Sequence, residues 1–225
     1  MPLQIEKVKA ILFDIDGTLS DSDDRMVQQV SRLLSPIVRN EGRRTAMARW
    51  MVMTAESPGN LLYNLADRFT LDSFFIRHMH RFTRGKRHRL KEYWLISGVR
   101  EMLDALSHLP LGVVSARDER TTHAFLDQFN ITHYFDVIVT AQTCRYTKPF
   151  PDPLLYAAEK LNLPAAHCLM VGDTTVDMKA ARLAGMQSIG VLCGFGREKE
   201  LRRAGANLIL PSTTDLQQCF TPVAE

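Results

Sequence analysis

Val8-Lys9-Ala10-Ile11-Leu12-Phe13-Asp14-Ile15-Asp16-Gly17-Thr18 is the stretch whose reading decides the fold. Its apolar run, Ala10 to Phe13, shows no polar alternation and stops at a carboxylate, as a strand buried on both faces does. Five later runs have the same character: Leu111 to Ser115, Val137 to Thr140, Cys168 to Asp173, Ser188 to Cys193 and Asn207 to Leu210. Between them lie stretches of helical periodicity at Val99 to His108, Glu119 to Phe129, Pro153 to Leu161, Thr175 to Ala184 and Glu198 to Ala204. Strands alternating with helices over short links predict an α/β fold, a doubly wound parallel sheet covered on both faces.

One stretch breaks the rhythm. From Ser20 to Ile96 there is no convincing strand, only helical patterns such as Met26 to Leu34, Arg43 to Met53 and Asn60 to Phe69. Ser57-Pro58-Gly59 and Thr83-Arg84-Gly85 interrupt them. The expectation is a discontinuous core, 1–19 and 97–225, with an α-helical cap inserted over 20–96. A link from strand to helix usually takes a few residues, so an insertion of this length points to a function such as a lid.

Composition narrows the class. The chain has 225 residues, 45% hydrophobic and 24% charged, enough apolar material for a true core and against disorder. No apolar run approaches the roughly eighteen residues of a membrane span. Ala10 to Phe13 is too short for a signal-peptide core. Cys144, Cys168, Cys193 and Cys219 lie far apart with no CxxC pair, so reduced thiols in a cytoplasmic protein are expected. A net charge of +3 announces neither a nucleic-acid nor a membrane partner.

In open parallel sheets ligands bind beyond the carboxyl ends of the strands, and the polar residues there form a set. Asp14 and Asp16, two apart in extended backbone, point the same way. Neighbouring carboxylates at a buried strand end repel unless a cation or proton intervenes, and a hard divalent ion such as Mg²⁺ resolves the conflict. The plain alternative is a solvent-facing acidic turn that caps the next helix. Asp173 and Asp177, four apart, would share a face of a helix starting near Thr174, or would simply complement that helix's dipole. Lys148 before Pro149 and Ser115 after the second strand read alone as a surface lysine and a turn residue.

Taken in order, Asp14-Ile15-Asp16-Gly17-Thr18-Leu19, Ser115, Lys148-Pro149 and Gly172-Asp173…Asp177 resemble the four motifs of the haloacid dehalogenase superfamily. The resemblance runs from Val8 to about Leu216 and is greatest to the phosphoglycolate phosphatase-like branch, whose helical cap follows the first motif. It implies a Mg²⁺-dependent phosphatase acting on a small phosphorylated metabolite, phosphoglycolate first among the candidates. A sugar phosphomutase, a pyrophosphatase and a non-catalytic anion-binding or nucleic-acid-binding protein are the other readings. The second carboxylate, Asp16, argues against carbon dehalogenation, and Thr18 argues against a mutase.

The resemblance also implies roles. Asp14 is the nucleophile that becomes an aspartyl-phosphate, and Asp16 is the general acid and then the general base. The metal falls to the Asp14 carboxylate, the Asp16 backbone carbonyl and the Asp173 carboxylate, with Asp177 orienting metal-bound water or Lys148. Lys148, the Ser115 hydroxyl and backbone N–H near Ala116 hold the phosphate oxygens, with Arg117 beside them. Two departures stand out: Ser115-Ala116-Arg117 where many relatives have Thr-Asn-Lys, and Trp94-Leu95-Ile96-Ser97-Gly98 where they often have Tyr-Pro-Gly.

Charge is unevenly spread. Residues 20–96 carry 14 Lys+Arg against 8 Asp+Glu, and the rest of the chain 14 against 17. From Ser73 to Lys91 there is no acid, but Arg77, Arg81, Arg84, Lys86, Arg87, Arg89 and Lys91 are present. That run reads either as a solvated helix or as a collar drawing an anionic substrate toward the cleft. The Glu56 to Asn60 turn is the candidate loop for substrate choice. Oligomeric state is left open by the sequence.

Overall fold

The computed structural model describes residues 2–21 and 93–220, together with 30–38, 40, 44, 47 and 48. Among these, the six apolar runs form β1 (Ala10–Phe13), β2 (Leu111–Val114), β3 (Val137–Val139), β4 (Cys168–Gly172), β5 (Gln187–Val191) and β6 (Leu208–Leu210). They pair in parallel, in the order β3-β2-β1-β4-β5-β6. The helical stretches become α1 (Val99–Leu106), α2 (Glu119–Gln128), α3 (Asp152–Lys160), α4 (Thr175–Ala184) and α5 (Glu198–Ala204). A short helix that the periodicity does not announce, α6 (Leu216–Phe220), closes the described chain.

Alternation along the central strands sends side chains into two cores. Ile11 and Phe13 of β1, with Leu169 and Val171 of β4, pack against Val99, Met102, Leu103 and Leu106 of α1 and Phe125 and Leu126 of α2. The intervening Ala10 and Leu12, with Cys168 and Met170, pack against Leu154 and Ala157 of α3 and Ala180 and Ala181 of α4. Both faces of β1 are therefore buried, which is why its sequence is uniformly apolar. The four α1 positions recur at i, i+3, i+4 and i+7, one stripe of a helix, and their burial fixes that helix on the sheet.

The chain begins at the centre of the sheet, builds β2 and β3 to one side, then returns to build β4, β5 and β6 on the other. The direction of winding reverses between β1 and β4, and the helices that follow them diverge to opposite faces. A crevice opens at such a point beyond the carboxyl ends of the two strands.

By contacts within the chain, Met1–Ser22 with Tyr93–Glu225 form one unit and Asp23–Glu92 another. In the first unit, the outgoing and returning segments pair: Ile96 N–H donates to the Leu19 carbonyl (3.0 Å) and Asp21 N–H to the Trp94 carbonyl (2.8 Å). Gly98, at φ +86°, then turns the chain into α1. In the second unit residues 30–34 are helical. The expected helices at Arg43 to Met53 and Asn60 to Phe69, the basic run from Ser73 to Lys91 and the Glu56 to Asn60 turn lie wholly or largely outside the described residues.

Candidate active site

Asp14, Ser115 and Asp173 each sit where a strand ends. Asp14 directly follows β1, its N–H donating to the Val171 carbonyl of β4 (3.0 Å), so the strand pairing itself places it. Ser115 follows β2, and its N–H donates to the Val139 carbonyl (2.9 Å). Asp173 follows β4, and Asp177 lies in the first turn of α4. Lys148 arrives from the loop between β3 and α3. Ser115, Lys148, Asp14, Asp173 and Asp177 are all buried, whereas Ala116 is exposed.

The Lys148 ammonium joins the set. Its Nζ lies 2.6 Å from Asp177 Oδ1 and 2.9 Å from Asp14 Oδ1. Asp177 Oδ2 accepts from the Thr174 hydroxyl (2.5 Å) and the Thr174 N–H (3.1 Å), closing the N-terminal turn of α4. Both oxygens of Asp177 are thus committed to protein donors. Asp177 completes the helix start and holds Lys148 at once, so the two readings of its position describe one residue.

Asp173 is placed differently. Its Oδ2 accepts from the Phe195 N–H (2.7 Å), in the loop after β5, whereas its buried Oδ1 has no partner among the described residues. Two glycines make room for this carboxylate. A methyl group on Gly17, already at φ +72°, would come within 2.3 Å of Asp173 Oδ2, and one on Gly194 within 2.1 Å. A buried acceptor without a donor costs about 1–3 kcal/mol, so an unpartnered carboxylate oxygen beside two further carboxylates points to a cation.

Carboxylate oxygens of Asp14, Asp173 and Asp177 all lie within 4.8 Å of one another. Burial is the chief reason that Asp14 rises from 3.8 to about 7; Asp177 and Asp16 push it further up, and Lys148 opposes them. Asp173 rises well above its ordinary value through burial, then through Asp177 and Asp14. Burial works against the charge on Lys148, but Asp14 and Asp177 lift the ammonium above its ordinary value, so it stays charged. Burial outweighs the pull of Lys148, which is why Asp14 rises despite a direct contact with it, and one ammonium cannot neutralise three carboxylates. The residual negative charge suits a divalent cation, and the buried group can bind one.

Asp16, half-buried, stands apart from this cluster. Both of its oxygens accept from Arg117, Oδ2 from Nε (2.8 Å) and Oδ1 from Nη2. The Arg117 guanidinium lies over the rings of Tyr93 (4.9 Å) and Phe125 (5.2 Å), and the Arg117 backbone N–H donates to Ser115 Oγ (3.1 Å). The sequence placed Arg117 among the phosphate-binding residues; its side chain faces the second carboxylate of the first motif. Phe195, Gly194 and Tyr93 escaped notice because backbone donation, the absence of a side chain and a ring stacked under a guanidinium leave no motif.

The model of the haloacid dehalogenase-like hydrolases matches residues 11–191. The phosphoglycolate phosphatase of Neisseria gonorrhoeae is 29% identical over 205 residues, covering 87% of this chain and 85% of its own. The phosphoglycolate phosphatase of Escherichia coli K12 is 26% identical over 240 residues, covering 95% and 92%. Among solved structures, a predicted phosphoglycolate phosphatase from Haemophilus somnus superposes with a TM-score of 0.63 at 22% identity, covering 96% and 99% of the two chains. A haloacid dehalogenase-like hydrolase from Streptococcus pneumoniae does so with a TM-score of 0.67 at 21%, covering 96% and 100%. At these identities the superpositions speak for the fold alone.

Proposed function

Because the chain belongs to the haloacid dehalogenase-like hydrolases, we propose that it is a Mg²⁺-dependent phosphatase that hydrolyses a small phosphomonoester through an aspartyl-phosphate on Asp14. The observation that carries this reading is Lys148, lodged between Asp14 and Asp177 beside the unpartnered oxygen of Asp173 at the point where the sheet's winding reverses. Phosphoglycolate is the leading substrate, supported by the names of the relatives. Four unpaired cysteines accord with a reducing, cytoplasmic setting.

The Asp14 and Asp173 carboxylates and the Asp16 backbone carbonyl would hold Mg²⁺. Bound there, the ion supplies positive charge against the repulsion between an anionic nucleophile and a phosphate dianion. The remaining work belongs to the protein. Asp14 attacks phosphorus in line, forming the acyl–phosphate bond as the bond to the leaving oxygen breaks. Asp16 gives that oxygen a proton, then as carboxylate takes one from the water that attacks the same phosphorus. Inorganic phosphate leaves and Asp14 is restored.

The Lys148 ammonium, the Ser115 hydroxyl and the Ala116 N–H hold the non-bridging oxygens, and Asp177 keeps Lys148 aimed at them. The positive charge of the basic run from Ser73 to Lys91 would draw an anionic substrate.

A panel of phosphomonoesters, with and without Mg²⁺, tests the proposal beside Asp14→Asn. Phosphate release that requires both Mg²⁺ and Asp14 is the expected result. Isomerisation of a sugar phosphate without net release, or no turnover of any ester, contradicts it.

A further inference from the structure

We propose that Arg117 is a positioning residue for Asp16: its guanidinium fork holds the Asp16 carboxyl at the place where the leaving-group oxygen of the substrate is met. The inference rests on the reading of Asp16 as proton donor and acceptor, and it adds a residue to that step.

The geometry is specific. Nε and Nη2 address the two oxygens of one carboxylate, so they fix its plane as well as its distance, which a lysine ammonium cannot do. The fork is itself braced. Tyr93 and Phe125 stand edge to face, 5.9 Å between centroids, and the guanidinium lies over both. The Tyr93 carbonyl accepts from Gln128 Nε2 (3.0 Å), tying that ring to α2, and the Arg117 carbonyl accepts from the Ala141 N–H (2.8 Å).

The Arg117 side chain is only 11% exposed, against 37% for Asp16. The buried partner therefore sets the position of the more exposed one. Asp16 is also kept out of the group formed by Asp14, Asp173 and Asp177, so the proton-transfer carboxyl and the nucleophile occupy separate places. Through its N–H bond to Ser115 Oγ, the Arg117 backbone further ties this loop to a phosphate-facing hydroxyl. A lysine at this position would lack the planar fork.

The test compares two esters. An alkyl phosphate such as phosphoglycolate needs a proton on its leaving oxygen, and p-nitrophenyl phosphate does not. Arg117→Met is expected to lower kcat/KM for the alkyl ester on the order of 10²-fold, and for the aryl ester by about threefold or less. Arg117→Lys, which keeps the charge and loses the fork, is expected to fall between wild type and Arg117→Met on the alkyl ester. It also serves as the variant of record if Arg117→Met fails to fold.

Equal losses on both esters would make Arg117 a structural brace and overturn the inference. A rise in KM alone on the alkyl ester would make it a reader of the substrate's second anionic group and also overturn it. A wild-type chain that hydrolyses neither of these two esters nor any member of the phosphomonoester panel overturns the phosphatase reading and this inference with it. An active wild type with unchanged Arg117 variants overturns this inference alone.

Discussion

In the absence of metal, raising the pH should destabilise the protein. Asp14 sits at about 7 in the folded state against 3.8 ordinarily, chiefly because it is buried. Between these values the folded chain keeps a proton that the unfolded chain has released, so stability falls as pH rises. The loss is complete once pH passes the folded value, and the full displacement is worth about 4 kcal/mol. Asp173 is displaced in the same direction and adds to the slope.

Between pH 5 and pH 7 Asp14 alone accounts for roughly 2–3 kcal/mol, at about 1.4 kcal/mol per pH unit while the folded form holds its proton. For a chain of this size that is a fall in Tm of about 4–12 °C. Thermal unfolding in EDTA at pH 5, 6, 7 and 8, with wild type, Asp14→Asn and Asp173→Asn, measures it. Each variant removes one titrating group and should flatten the slope. Mg²⁺ added at pH 8 should restore much of the wild-type loss and less of either variant's, since a cation bound only by the folded state stabilises it. A Tm that stays level or rises from pH 5 to pH 7 in EDTA, or an Asp14→Asn slope equal to wild type, would refute the reasoning.

Other substitutions probe the same site. Lys148→Met leaves Asp14 and Asp177 without their shared cation and should cost about 3–5 kcal/mol of stability in denaturant unfolding at neutral pH, with kcat down on the order of 10²-fold or more. Gly194→Ala places a methyl group 2.1 Å from Asp173 Oδ2, so the carboxylate must move. The Mg²⁺ concentration for half-maximal activity should rise about 10–100-fold, read from an activation curve. Thr174→Val removes the hydroxyl that donates to Asp177 Oδ2 and should lower stability by about 1 kcal/mol, seen as a small drop in Tm.

The central strands β1, β2 and β4 were legible because each is buried on both faces and so reads as an apolar run; the α1 stripe was legible because its four buried positions keep helical spacing. The order of the strands was not, because alternation of strand and helix says nothing of the side on which the chain next adds a strand. Within the site, Asp14, Lys148, Asp173 and Asp177 could be named from their motifs, and the fold brings them together. The Phe195 N–H on Asp173 and the room left by Gly194 could not, since they arise from the loop after β5 meeting β4 across the sheet. The turn of Arg117 toward Asp16 depends on two aromatic rings, one of them at Tyr93, 24 residues earlier in the chain, and no spacing in the sequence joins them.

The central claim is that Asp14 carries the phosphoryl group. Acid quenching during turnover of a phosphomonoester with Mg²⁺, followed by peptide mapping, tests it directly. A phosphoryl adduct on the peptide containing Asp14, absent from Asp14→Asn, is the predicted result. Full hydrolytic activity in Asp14→Asn, or an adduct on any other peptide, would contradict it.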